Sequence, residues 1–377
     1  MIDAALLDGE RFRTTDGEIA IINLNSARLR SWSRFHQDPQ RPGAAETVME
    51  HEQLTAQFVG DVSALARMES LAEQLAQSEA SLMRASLIHA QVASALHRFS
   101  DARHYLAQAR VGGAAHEDIK RILLSVDQAC GTNLEEVLDE RRSIAAKSGR
   151  LEDLVALGGL LADLGDFNEA EETLRQALRR YQDVSPFPVA WVCFQLGMLW
   201  GELVPEPQLG WAAQWYQKAI VCLPCYVRAR VHLAEICLTQ GRVDEAESIL
   251  RPAIACGDPE VAWKLADVLK FSGRAAEAEQ HLETARSTFE KLLNRHLLAF
   301  ADHGAEFYAG SGNDAHRAIG LARVNVANRP TLRSLAQAHA IALSAGDTDT
   351  ALELHVVATR RWGAIPAFGS SRFAQCA

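Results

Sequence analysis

The chain has 377 residues, of which 48% are hydrophobic, and carries a formal net charge of −10. That length and apolar content suffice for a large buried core. The acidic balance excludes nonspecific attachment to nucleic acid or anionic lipid, both of which need a basic surface.

The start of the chain, MIDAALLDGERFR, has neither a basic n-region nor a long apolar h-region. No run reaches the roughly twenty apolar residues of a membrane span. The seven cysteines follow no regular spacing and read as free thiols of a reducing compartment. A cytoplasmic location is the expectation.

A ruler for the rest of the chain comes from Leu151–Tyr181, which holds two helical patterns around a tight break. The first runs Leu151, Leu154, Leu157, Leu161 and Leu164, and the second Ala170, Leu174, Ala177 and Leu178. Both follow the spacing of an apolar helical stripe. The break, Gly165-Asp166-Phe167-Asn168, offers a glycine for the φ > 0 position past a helix end and capping residues for the next helix. Such a hairpin cannot bury its own apolar face and needs copies stacked on it. Counting Leu151 as position 1, the unit has Leu157 at 7, Gly158 at 8, Leu161 at 11, Gly165 at 15, Ala170 at 20, Leu174 at 24 and Ala177 at 27.

Taken in order, residues 1–43 form a non-repeat arm and linker. Glu18–Leu24 (EIAIINL) is either a short strand or, by preference, an extended arm or first helical turn leading into Ala27–Phe35. Trp32 and Phe35 are then expected to cover the open end of the array. Asp38–Gly43 (DPQRPG) is the linker. Residues 44–150 hold degenerate helix pairs: Ala44–Gln77 broken near Gly60-Asp61, Leu82–Arg110 with His97 at position 15, and Glu117–Arg150 with Gly131 there. Residues 151–292 are the central array. Its second unit matches through Leu196, Gly197, Trp200, Ala212, Tyr216, Ala219 and Pro224, with an inserted loop at residues 201–210 (GELVPEPQLG). The units at Tyr226–Asp258 and Pro259–Phe289 are regular. Residues 293–362 hold two further pairs, with Gly346 at position 15 of the last, and residues 363–377 form a tail.

The recurring set, clearest in Gly241–Ile254 (GRVDEAESILRPAI) and Gly273–Ala285 (GRAAEAEQHLETA), resembles the tetratricopeptide repeat, whose period is about 34 residues. The resemblance implies an all-α, right-handed superhelical solenoid of antiparallel helix pairs, with sheet nearly absent.

Residues that carry chemistry elsewhere lack their setting here. Cys222-Leu-Pro-Cys225 has the spacing of a redox pair or half a metal site, but it ends a helix, and Pro224 is the ordinary position-32 residue of the repeat. Thirteen histidines include the pairs His97/His104 and His296/His303, each seven residues apart, yet no HExxH motif occurs. No GxSxG elbow or phosphate loop is present either. No cofactor or catalytic centre is expected, and the chain reads as a non-enzyme.

The remaining candidate is the concave groove, which the resemblance implies is lined by positions 2, 5, 9 and 12 of the first helices. In the middle of the array these give an apolar and aromatic floor with charged flanks: Trp191, Phe194, Met198, Val231, Glu235 and Trp263, with Arg228, Glu260, Asp267 and Lys270 at the same set of positions. Trp263 is expected to face solvent. Trp191 reads either as an anchor for a partner or as packing with Trp200, Trp211 and Trp215. Position 5 holds Val155, Phe194, Val231 and Trp263, so the lysine and asparagine pattern that clamps a C-terminal carboxylate is missing. The expected function is a scaffold or adaptor binding a protein or extended peptide, alone or within a homo- or hetero-oligomer. Two alternatives are an accessory or maturation subunit that holds a partner enzyme or its substrate, and a metal- or redox-responsive regulator using Cys222 and Cys225.

Overall fold

A computed structural model describes residues 13–78, 82–369, 371 and 373. Those residues form helices and connecting turns, with no strand among them. Helix α1 (Gly17–Gln37) stands alone before nine antiparallel units. Unit 1 is α2 (Ala44–Leu54) with α3 (Ser63–Gln77), and unit 2 is α4 (Leu82–Ala95) with α5 (Phe99–Val111). Unit 3 is α6 (His116–Cys130) with α7 (Leu134–Ser148), and unit 4 is α8 (Leu151–Leu164) with α9 (Phe167–Arg180). Unit 5 is α10 (Pro186–Met198) with α11 (Leu209–Cys222), and unit 6 is α12 (Val227–Thr239) with α13 (Val243–Leu250). Unit 7 is α14 (Pro259–Phe271) with the first half of α15 (Ala275–Ala309), which breaks at His296. Unit 8 is the second half of α15 with α16 (Ala315–Asn328), and unit 9 is α17 (Leu332–Ser344) with α18 (Thr348–Trp362). A short α19 (Pro366–Gly369) follows. No helix among the described residues is long and apolar enough to cross a membrane.

The turns follow the ruler. Position 15 is left-handed at Gly131, Gly165, Gly241, Gly273 and Gly346. His97 and Asn313 take the same conformation, at φ 55° and 50°, without being glycine. Position 8 is nearly empty because the second helix fills it. The Tyr216 ring lies 2.4 Å from where a Cβ on Gly197 would sit, and the Leu174 side chain lies 2.9 Å from that of Gly158. The inserted segment of unit 5 begins as a π-helical turn, Leu199–Leu203, and loops to Leu209. There Trp200 and Trp211 meet edge to face with ring centroids 4.7 Å apart.

The run Glu18–Leu24 is neither strand nor arm but the first part of α1. The Asp16 side chain caps it, accepting from the amides of Glu18 and Ile19 at 2.9 and 3.1 Å. Ala20, Leu24, Ser31 and Phe35 then fall on one buried helical face. That periodicity and the cap outweigh the strand preference of the isoleucines. Phe35 is fully buried among α2, α3 and α4, and the Trp32 indole donates to buried Glu52 at 2.7 Å.

Units far apart in sequence meet. Phe58, after α2, packs on Phe187 and Tyr226 of units 5 and 6, with centroids 5.3 and 4.8 Å away. The turn of unit 2 meets unit 8, where the His97 carbonyl accepts from the Asn328 amide group at 2.9 Å. Unit 3 meets unit 9, where Arg361 donates to the carbonyls of Cys130 and Gly131 at 3.3 and 3.0 Å. Gly165 of unit 4 abuts Ala367 of α19. The array therefore coils through a full turn and closes on itself, so its concave face becomes the wall of a lumen.

Gly241 has open space around it and φ 74°, so Gly241→Ala isolates the backbone strain. It should lower unfolding free energy by about 1–2 kcal/mol in urea titration. Gly197→Ala should cost more, because the Tyr216 ring must also move.

Candidate functional site: a charged lumen

Positions 2, 6, 9 and 13 of a first helix form one stripe, since residues four and three apart stack on the same face. In this chain that stripe is polar. Position 2 supplies Arg228, Glu260 and Arg333, position 6 His232, Lys264 and Gln337, position 9 Glu235 and Asp267, and position 13 Asp163 and Glu202. They contact one another across successive units. His232 meets Glu202 at 2.8 Å, Arg333 of unit 9 reaches the same carboxylate at 2.9 Å, and Lys264 pairs with Glu235 at 2.6 Å. His303 pairs with Glu260, Arg329 with Asp302 at 2.5 Å, and Ser311 donates to Asp267 at 2.5 Å. Gln128 donates to Asp163 and Gln337 to Glu306, at 2.9 and 2.7 Å. Water reaches these groups: the Arg333 side chain is 64% exposed, and those of Glu202, Glu235 and His303 are about a third exposed.

Enclosure raises the electrostatic stakes. Burial alone would lower the pKa of His303, but the carboxylates of Glu260 and Asp302 outweigh it and raise it to about 10. His232 is likewise raised against burial by Glu202, and Lys264 by Glu235. His97 goes the other way. Burial, with the charge of Arg329 beside it, pushes it down to about 4. Burial also raises Asp163, Asp258 and Asp267, whose cationic neighbours do not fully compensate them. The lumen thus holds a paired network with a surplus of carboxylates.

The sequence-derived groove is placed differently. Phe194, Met198, Val231 and Trp263 are buried, and Trp191 is half-buried against the central core. Only Glu235 among the six offers a polar side chain to the lumen, with 37% of it exposed. Position 5 lies roughly 70° from the centre of that stripe, and there Phe194, Val231 and Trp263 pack into their own and the next unit. Phe194 packs against Tyr216, Tyr226 and His232, at 5.6, 5.3 and 5.4 Å between centroids. Trp263, expected at the surface, is 5% exposed and packs on Phe307 and Phe289, with Lys264 Nζ 3.5 Å from its ring centroid. His97 and His303 enter one cluster, but their partners seven residues away do not join them. His104 sits beside Gln108, and His296 lies at the α15 break near Glu69.

Cys222 and Cys225 are free thiols, and burial raises both, Cys225 to about 12, so neither favours the thiolate. Among the described residues no three His, Cys, Asp or Glu side chains are arranged to hold a metal. Arg228, Glu235, Glu260 and Asp267 are groove positions by sequence; His232, Lys264, Arg333, Asp163 and Glu202 are not among them, although they recur at positions 2, 6 and 13.

Two measurements check this arrangement. A raised histidine stabilises the fold fully below its unfolded pKa of about 6.5 and loses that contribution as pH rises through about 10. A lowered one stabilises above about 6.5 and loses its contribution as pH falls through about 4. His303→Gln should therefore flatten the alkaline limb of stability against pH, and His97→Asn the acid limb, in urea midpoints taken across the range. Trp263→Ala should lower unfolding free energy by about 3–5 kcal/mol, as for a core aromatic.

The tetratricopeptide repeat family matches residues 227–252 and 259–284, and a second tetratricopeptide repeat profile matches residues 154–185. Similar solved structures include MamA, at 19% identity and TM-score 0.36, covering 45% of this chain and 96% of that one. The pilF protein of Pseudomonas aeruginosa is similar at 19% identity and TM-score 0.31, covering 64% and 99%. The Cut9-Hcn1 hetero-tetramer of APC/C is similar at 12% identity and TM-score 0.44, covering 89% and 63%. No curated protein sequence matches the chain. The ruler taken from Leu151–Tyr181, the stacked helix pairs among the described residues and the matched stretches agree: this chain contains tetratricopeptide repeats in units 4, 6 and 7, within a longer array of helix pairs.

Proposed function

We propose that this protein is a non-enzymatic adaptor that holds an extended, polar segment of a protein partner along the charged lumen. Repeats of this kind form protein-interaction scaffolds, and the observation that favours the lumen is its continuous stripe of charge. First helices of units 4, 6, 7 and 9 contribute to it at matching positions, together with Glu202 at the end of unit 5. A rigid wall of alternating carboxylates and cations can pair with side chains and backbone amides of an extended chain at little ordering cost to itself. The carboxylates that lack full compensation, Asp163, Asp258 and Asp267, favour a segment carrying lysine or arginine. The raised thiol pKa values of Cys222 and Cys225 weigh against the redox-regulator reading.

The test is quantitative purification from the native host with three baits: wild type, the lumen variant Glu235→Lys/Asp267→Lys, and the outer-surface variant Glu172→Lys. The lumen variant should lose the partner about tenfold or more, equivalent to about 1.4 kcal/mol, while the outer variant keeps it, with recovery read below the melt of every bait because Glu235→Lys also removes the Lys264 pair. Equal recovery by all three baits would move the binding surface elsewhere.

A further inference from the structure

We propose that the coil is a hinged ring that opens along the polar part of its own seam, between units 2 and 3 on one side and units 8 and 9 on the other. The two ends of the seam differ in chemistry. At the unit 1 end the contact is apolar and continuous with the core. Phe58 belongs to the same buried cluster as Phe187, Tyr226 and Val227, and Ala20 and Leu24 of α1 join it. The Val227 side chain lies 2.8 Å, and the Cys256 sulfur 3.3 Å, from where a Cβ on Gly60 would sit. Gly17 lies against the Cys222 carbonyl and Pro224 with no room for a side chain. Buried aromatic contact of this kind separates only when the units themselves unfold.

At the other end the seam is a row of polar contacts. Asn328 donates to the His97 carbonyl, and the His97 ring faces the Leu298 carbonyl at 3.3 Å. Arg361 donates to the last carbonyls around Gly131, and between this row and the hinge Arg295 of unit 7 pairs with Glu69 of unit 1 at 3.3 Å. The apolar clusters on the two sides are separate, one set around Phe99, Val126 and Ile119, the other around Phe289, Phe307 and Trp362. Trp362 lies under Gly131, α19 abuts Gly165 of unit 4, and the partly buried side chains Leu134 and Ala299 pack against the clusters across the seam. The face of Trp362 under Gly131 stays in place without the seam, because its indole is anchored to the Pro330 carbonyl at 3.1 Å within its own unit. The Arg361 and Arg295 contacts are exposed, and exposed ion pairs and hydrogen bonds hold weakly and are screened by salt, while the two His97 contacts are part-buried. The seam therefore opens at a small fraction of the free energy that separates stacked units, with the aromatic end as hinge.

Opening also parts Arg333 of unit 9 from Glu202 of unit 5 across the lumen. This consequence rests on the lumen being the binding surface: a partner that enters the widened lumen selects the open state. Opening itself needs no partner to be observed.

The experiment is small-angle scattering of the full chain alone, paired with thermal melts. The variant Arg295→Ala/Asn328→Ala/Arg361→Ala removes the polar latch, and Phe58→Ala weakens the hinge. For the wild type, a radius of gyration near the roughly 21 Å of a compact chain of this length should rise with salt. The latch variant should be expanded already at low salt, by roughly a tenth, with its melt unchanged. Phe58→Ala should lower the melt. A latch variant no larger than wild type, or one whose expansion comes with a lowered melt, overturns the proposal. Either result leaves the partner-recovery experiment with the lumen variants untouched, so failure of the seam and failure of the lumen are told apart.

Discussion

In units 2 and 4 to 7 the two helices come so close that the eighth position is glycine or alanine, and much of the structure follows from that approach. At Gly197 the ring of Tyr216 occupies the space a side chain would need, and at Gly158 Leu174 does the same. The angle of each hairpin is set there, by contact between a backbone and a large side chain. Repeated along the array, a fixed angle produces a fixed curvature. Here the curvature is tight enough that unit 2 returns to unit 8 and unit 3 to unit 9.

Curvature in turn decides which side chains are chemical and which are structural. A shallow superhelix would leave position 5 on an open concave face, and Trp263 and Phe194 would be accessible aromatics. In the tight coil those positions rotate into neighbouring helices, and the stripe at positions 2, 6, 9 and 13 faces inward instead. Placing charge on that stripe is costly unless it is paired. The pairs His232–Glu202, Lys264–Glu235 and His303–Glu260 provide that compensation between adjacent units. The network is therefore a product of stacking order, and it links local helix packing to what the lumen can recognise.

Local rules made much of this legible in the sequence. Leucine and alanine spacing located the units from Leu82 onward, and glycine at position 15 located their turns. Even the insertion in unit 5 was visible as extra length between Gly197 and Ala212. What escaped was non-local or depended on competing local rules. The string EIAIINL alone leaves a strand, an arm and a first helical turn open, and the Asp16 cap with Leu24, Ser31 and Phe35 on one face decides for the helix. His97 sits where glycine is usual, and the strain of its left-handed backbone is held by contacts to residues 201 and 231 positions away, Leu298 and Asn328. The inward stripe needed the curvature, and curvature is a property of the whole array rather than of any one repeat.

Closure of the coil is the claim that the rest requires, because without it there is no enclosed lumen and no reason for position 5 to be buried. Pulsed dipolar spectroscopy between spin labels at Ser100 and Ala327, in a background with the native cysteines replaced, reads it directly. The closed coil predicts a short, narrow distance distribution between these units at low salt. A broad distribution centred far beyond the width of two packed helices, as for an extended solenoid, would contradict it.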